Sequence, residues 1–209
     1  MTLEEMAYRA AARATMAAAE AITSYADGTF KREDDITAGF IQAIKTKFDG
    51  RRSGSIRWSA SVLNRGPGSA NEEGRVGADM LVHVMLNTPT YQYSKGVLIQ
   101  AKRKDFGARL TTVEHGELVG QCGHMLAISP AAFVANYTKQ EMRFSAATLI
   151  AGTQERDLSR ACIWSAHRFF LELFRCPIGD PRITSAKFEH LQGVRIVGQG
   201  ELEAAATSD

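Results

Sequence analysis

Two short stretches of this 209-residue chain combine residue types that can do chemistry. Asp79 stands at the head of one apolar run, and Gln100-Ala101-Lys102 stands at the foot of the next. Side chains alternate across a β-strand, so Gln100 and Lys102 share one face and Ala101 takes the other. A glutamine and a lysine closing an otherwise apolar strand are poor choices for a buried sheet centre unless a polar partner meets them. Asp79, on the preceding strand, is the partner within reach. A carboxylate, an amide and an ammonium gathered at one strand end bind, orient and exchange protons rather than pack.

Set in the element order helix, three strands, helix, strand, helix, Asp79 and Gln100-Ala101-Lys102 resemble the PD-(D/E)xK nuclease superfamily. The last part of the motif is in the QxK form found in some branches, Mrr-like restriction proteins among them. The likeness covers roughly residues 30 to 150, with Ala78 where the motif's proline would stand. Residues 72–82, 96–103 and 120–126 look like uncharacterised bacterial members, some of them linked to phage defence.

The resemblance implies an α/β, restriction-endonuclease-like fold: a mixed central sheet flanked by helices, core order α-β-β-β-α-β, with an extra N-terminal helix. It also implies hydrolysis of DNA phosphodiester bonds, with RNA left open, in anti-phage defence or DNA processing. Mg²⁺ is the implied cofactor and Mn²⁺ its substitute. Such hydrolysis needs an activated water and stabilisation of the charge that develops on the phosphoryl oxygens. Under the resemblance Asp79 anchors the metal, and the Gln100 side-chain carbonyl and Ala101 backbone carbonyl add oxygen ligands. Lys102 orients or deprotonates the water and neutralises the transition state.

Glutamine in place of glutamate removes a negative charge, so another carboxylate must compensate. Glu33, Asp34 and Asp35, and Glu72-Glu73 just before Asp79, are the available donors. Superfamily members often carry an acid on the first core helix, which favours Glu33 or Asp34 without choosing between them. Gln121 matches a glutamine that several branches place on the helix after the third strand, and is expected to support the site. Arg75, Arg103 and Lys104 are the expected nucleic-acid contacts. They belong to a basic set with Lys102, Arg51, Arg52, Arg57 and Arg65 that reads either as a phosphate rim or as a solvated face.

Plainer readings stand beside these. Glu33-Asp34-Asp35 also suits capping of a helix start. His83 falls on the Asp79 face but reads as a satisfied strand histidine. Cys122-Gly123-His124 lacks the second ligand pair of a zinc site. Trp58, Trp164, Phe169 and Phe170 read as core.

The elements that must position these residues follow from pattern. Residues 3–26 are alanine-rich without internal Gly or Pro, and predict a helical arm over 1–28. A second helix begins near Asp34-Asp35 and carries Ile36, Phe40, Ile44 and Phe48 at helical spacing. Strands are predicted over 55–63, 78–86 and 96–101, with a loop over 65–77. A helix over 114–128, a fourth strand over 145–151, a long helix over 158–175 and a short strand at 194–197 follow. The nuclease-like domain spans 29–200 and the tail over 201–209 is frayed.

Composition is ordinary for a globular chain, with 44% hydrophobic and 23% charged residues. A formal charge of +2 excludes a histone-like polycation, so any nucleic-acid contact must come from a local basic cluster. Three unpaired-looking cysteines argue against a disulfide framework. The lack of a basic leader or long apolar run predicts a cytoplasmic protein away from membranes. Two alternatives accompany the nuclease: a binding module of the same fold without turnover, and an interaction protein that docks a partner or a second copy through its first helix.

Overall fold

The computed structural model describes residues 1–63, 69–188 and 190–202, with residues 69–72 described by their backbone alone. Two helices open the chain, α1 (Leu3–Ala26) and α2 (Glu33–Phe48), followed by β1 (Arg52–Ser53) and β2 (Ile56–Leu63). A short helix α3 (Ser69–Val76) leads into the hairpin of β3 (Met80–Asn87) and β4 (Gln92–Arg103), and then α4 (Thr112–Ile128). Next come β5 (Ala132–Tyr137), β6 (Met142–Ala146), α5 (Ala147–Ala151) and α6 (Leu158–Ala161). The last elements are β7 (Trp164–Ser165), α7 (Ala166–Arg175) and β8 (Gly193–Gln199).

The strands form one mixed sheet in the order β1-β2-β8-β3-β4-β5-β6-β7. β3 and β4 pair antiparallel, β4 and β5 pair parallel, and α4 is the crossover that a parallel pair requires. Met80, Val82 and Val84 of β3, with Val97, Ile99 and Ala101 of β4, join α1, α2 and α7 in the larger core. Leu81 and Leu98 point the other way and pack with Leu118, Cys122 and Met125 of α4. Helices on both faces explain why β3 is apolar along nearly its whole length. Among the described residues, no helix is long and apolar enough to cross a membrane.

Several expectations need correction. The first helix is not an arm. It starts at a capping box, in which Thr2 and Glu5 each satisfy the other's backbone N–H. Its alanines at 7, 10, 11, 14, 17, 18 and 21 are buried in the larger core against α2 and α7. Small side chains let helices lie close, so an alanine face that looks too poor in bulk for a core is a core face here. The alanine face of α1 is thus covered within the chain, and Tyr8 and Met16 are the large apolar residues that α1 leaves exposed.

The stretch read as a loop holds α3, and Arg65 with the tail residues 203–209 lies outside the described residues. Leu202, assigned to the frayed tail, is buried in the core, and its carbonyl accepts from Thr90 Oγ1 at 2.9 Å. The strand placed at 145–151 ends at Ala146, where an alanine- and leucine-bearing segment turns helical as α5. The helix placed at 158–175 is interrupted. Trp164 and Ser165 pair with β6, and the Ser165 hydroxyl then accepts from the Arg168 N–H to start α7. The short strand at 194–197 is a seven-residue strand set between β2 and β3, away from any sheet edge.

Candidate active site

The β3–β4 register sets Met80 opposite Ile99, and one step further the Asp79 N–H donates to the Ile99 carbonyl at 2.9 Å. Asp79 therefore sits beside Gln100. Its Oδ2 accepts from the Ala101 N–H at 2.7 Å and from the Gln100 side-chain amide. The same amide nitrogen donates to the Ala101 carbonyl at 3.1 Å. Lys102, next along the same face of β4, lines a cleft of about 440 Å³ together with Glu33, Lys31, Arg103 and Lys104.

Gly77 brings α4 to this point. It has φ +76°, and a β-carbon there would run into the Gln121 carbonyl and come within 3.0 Å of His124 Cβ. The first residue of the approach to Asp79 thus needs glycine twice, for its left-handed backbone and for helix contact. Gln121 itself places Oε1 in a buried position with no hydrogen-bond donor among the described residues.

The three acids at the start of α2 separate cleanly. Asp35 caps the helix, accepting from the Arg32 N–H at 3.0 Å. Asp34 is exposed and lies 3.4 Å from the Arg32 guanidinium. Glu33 turns inward. Burial raises its pKa, opposed by the charge of Lys102 and the backbone N–H of Arg103. Asp79 is pushed up to about 7, first by burial, with the Ala101 N–H and Lys102 acting against the shift and the charges of Glu33 and Glu73 adding to it. Asp79, Glu33, Glu73 and Lys102 therefore feel one another across a poorly solvated strand end.

Two buried residues that sequence reasoning passed over hold this arrangement. The fully buried Tyr137 lies 3.0 Å from Thr37 Oγ1, and Thr37 donates its own proton to the Glu33 carbonyl at 3.0 Å. The end of β5 is tied in this way to the first turn of α2. Asn136 clamps the backbone beyond Lys102, donating to the Lys104 carbonyl at 3.0 Å and accepting from the Lys104 N–H at 3.1 Å. Both follow the apolar run of β5, much as Gln100 and Lys102 follow that of β4. Polar residues ending an apolar run were the signal available for finding them.

The other expected residues divide between the cleft wall, where Arg103 and Lys104 lie, and positions away from it. Lys104 is engaged by Glu114 at 2.8 Å. Arg103 is exposed, donates to the Lys31 carbonyl, and stands over the Tyr25 ring at 5.8 Å. Arg75 is exposed on α3 and is not part of the cleft lining. The Glu72 side chain lies outside the described residues. His83 is satisfied by Ser94 at 2.9 Å and Ser185 at 3.1 Å, as a strand histidine. Cys122 faces the core, where burial raises its thiol to about 12, while His124 is exposed, so the two share no metal.

Arg51, Arg52 and Arg57 lie around the sheet edge formed by β1 and β2. A larger hollow of about 580 Å³ beside them lies at the far end of α2, about 24 Å from Glu33. Its half-buried Arg13 is spent on the Lys47 and Arg52 carbonyls. The chemistry is concentrated in the smaller cleft.

Among the described residues, no three His, Cys, Asp or Glu side chains are grouped to hold a metal by themselves. The donors at the strand end are instead a carboxylate (Asp79), a main-chain carbonyl (Ala101) and a side-chain amide (Gln100), with Glu33 and Lys102 close by. No protein-family model matches the chain, and neither does any curated protein or solved structure.

Proposed function

We propose that the chain is a metal-dependent nuclease of the restriction-endonuclease-like, PD-(D/E)xK class, hydrolysing DNA phosphodiester bonds with Mg²⁺ or, in its place, Mn²⁺. One observation carries the reading: Asp79, Gln100 and Lys102 meet at one strand end, with Glu33 and a cleft rich in lysine and arginine beside them. The chain order α2-β2-β3-β4-α4-β5 supports that class once β1 and α3 are counted as insertions in the chain and β8 as an added strand between β2 and β3. The setting in bacterial defence or DNA processing rests on the resemblance alone.

The donor set fits a hard cation, which takes oxygen ligands. The Gln100 amide nitrogen now lies between the Asp79 carboxylate and the Ala101 carbonyl, where it satisfies both oxygens. A half-turn of the amide would present its oxygen instead, beside those of Asp79 and Ala101. Burial keeps the Asp79 carboxyl raised to about 7, with the charges of Glu33 and Glu73 adding to the shift, and a cation there would relieve both.

A bound divalent cation supplies Lewis acidity toward the phosphoryl oxygens and lowers the pKa of a coordinated water. Asp79 and the Ala101 carbonyl would hold it, with the Gln100 amide turned to offer its oxygen. Lys102 Nζ, on the wall of the cleft, orients the attacking water and faces the charge that grows on the non-bridging oxygens. Glu33 is the nearest further carboxylate and receives the water's proton directly or completes the oxygen shell. Arg103 and Lys31 hold the flanking phosphates.

Plasmid DNA incubated with Mg²⁺ or Mn²⁺ tests this. The wild type cuts and Lys102→Ala loses at least about a hundredfold in rate, while equal rates in the two proteins would remove the mechanism. The retained Gln100–Asp79 bond favours one second reading, a nucleic-acid-binding module without turnover. It would bind DNA and cut under neither metal.

A further inference from the structure

The cleft does not stop at Lys102. A second hollow of about 440 Å³ opens beyond Arg103, lined in part by Tyr25, Phe30 and Lys139, and it shares Lys31, Arg103 and Lys104 with the first. We infer that this second hollow is the seat of an unpaired DNA strand flanking the scissile bond, which makes single-stranded or overhanging DNA the preferred substrate. The inference rests on the nuclease reading for its direction and on the groove itself for its chemistry.

Charge comes first. Lys31 and Lys139 are exposed, and among the described residues no carboxylate pairs with Lys31, Arg103 or Lys139. The acid in the lining, Asp105, is held as a structural group, accepting from Tyr25 Oη at 3.1 Å and from the Lys139 N–H at 2.8 Å. A cationic wall with its acid already engaged suits a polyanion.

Shape and aromatic surface come next. A hollow of this size admits a body about as large as a nucleotide and cannot swallow a duplex. The Phe30 ring forms part of the wall and rests on Gly39 of α2, where a β-carbon would collide with it. Arg103 is laid over Tyr25 and tied to the Lys31 carbonyl. Tyr25 is itself buried beneath Arg103, so Phe30 is the ring that the hollow offers. Cations set beside such a ring are how single strands are gripped, because an unpaired base offers a face that a duplex keeps stacked inside.

The wall is also fixed in advance, since Asn136 clamps Lys104 and Asp105 ties the 139 turn to α1.

Anisotropy titrations in EDTA, where no cleavage can intrude, test the inference. The probes are a blunt DNA hairpin, the same hairpin with a single-stranded overhang, and an unpaired DNA oligomer. The overhang and the oligomer bind the wild type roughly tenfold more tightly than the blunt hairpin. Lys139→Gln and Lys31→Gln, which leave packing untouched, each weaken those two probes and reduce the slope of log K against log salt by about 1. Phe30→Ala weakens them roughly tenfold with little change in that slope. Equal affinity for all three probes, unchanged by Lys139→Gln and Lys31→Gln, would overturn the groove while plasmid cleavage still upheld the nuclease. Absence of binding to every probe would likewise overturn the groove, and the plasmid assay with Mg²⁺ alone decides the nuclease reading.

Discussion

Replacing Asp79 with asparagine keeps the outline of the side chain and removes a charge that the fold holds at a cost. The carboxyl rises from an ordinary 3.8 to about 7, chiefly because burial strips water from its ionised form. The folded chain therefore keeps this proton up to about pH 7, whereas the unfolded chain releases it near pH 4. Stability present at low pH is lost as pH climbs through about 7. At ~1.36 kcal/mol per pH unit the gap between 3.8 and about 7 corresponds to roughly 4 kcal/mol as an upper bound. Water entering from the cleft reduces this to roughly 2–4 kcal/mol. Urea unfolding in EDTA reads it directly. At about pH 4 wild type and Asp79→Asn are nearly equal, the gap opens as pH rises from there to about 7, and at about pH 8.5 the variant is the more stable by that amount, or by on the order of 5–10 °C in Tm. Added Mg²⁺ then restores the wild type at the higher pH and does little for the variant, because only the native carboxylate gains a ligand. A stability difference that does not change with pH would refute the claim that Asp79 is desolvated.

Three further outcomes follow from the same geometry. Gly77→Ala must adopt φ +76° and press on the Gln121 carbonyl, so urea unfolding should show a loss of at least about 2 kcal/mol; an unchanged midpoint would mean that α4 does not touch this residue. Tyr137→Phe removes one of the two partners of the buried Thr37 hydroxyl, leaving the Glu33 carbonyl, and should cost about 0.5–1.5 kcal/mol by urea unfolding. It should also lower kcat more than it raises KM, because Glu33 loses its support. Gln100→Glu should bind Mg²⁺ more tightly by calorimetry yet be less stable than wild type in EDTA above about pH 7, and weaker Mg²⁺ binding would remove position 100 from the metal site.

The parts of this architecture that were legible in the sequence are those set by local pattern. The Ile36-Phe40-Ile44-Phe48 spacing marks the buried stripe of α2, and the apolar runs before Asp79's partner strand and Gln100 mark the two central strands. The meeting of Asp79 with Gln100 was also readable, because alternation along β4 and the adjacency of consecutive strands are nearly forced. What could not be read was non-local. Nothing in residues 193–199 says that they enter the sheet between β2 and β3 rather than at an edge. Alanine at every third or fourth place on α1 is equally compatible with an exposed arm and with close helix packing, and only the partners α2 and α7 decide. Choosing among Glu33, Asp34 and Asp35 required knowing that Asp35 is spent on the cap and Asp34 faces Arg32.

The glutamine at position 100 then makes electrostatic sense. Asp79 already meets the charges of Glu33 and Glu73 where burial opposes its own ionisation near neutrality. A fourth carboxylate, one residue from Lys102 and beside Asp79, would deepen that repulsion whenever no cation is bound. It would also draw the Lys102 ammonium into a pair on β4, away from the wall of the cleft. An amide avoids both effects: its hydrogens satisfy Asp79 Oδ2 and the Ala101 carbonyl, and its oxygen would become available by a rotation about one side-chain bond. The cost is weaker attraction for the cation. On the proposed reading the same Asp79 carboxyl would have to lose its proton, near pH 7, to serve as a ligand, so cation concentration and pH would act on one group. Occupancy of such a site rises steeply with both.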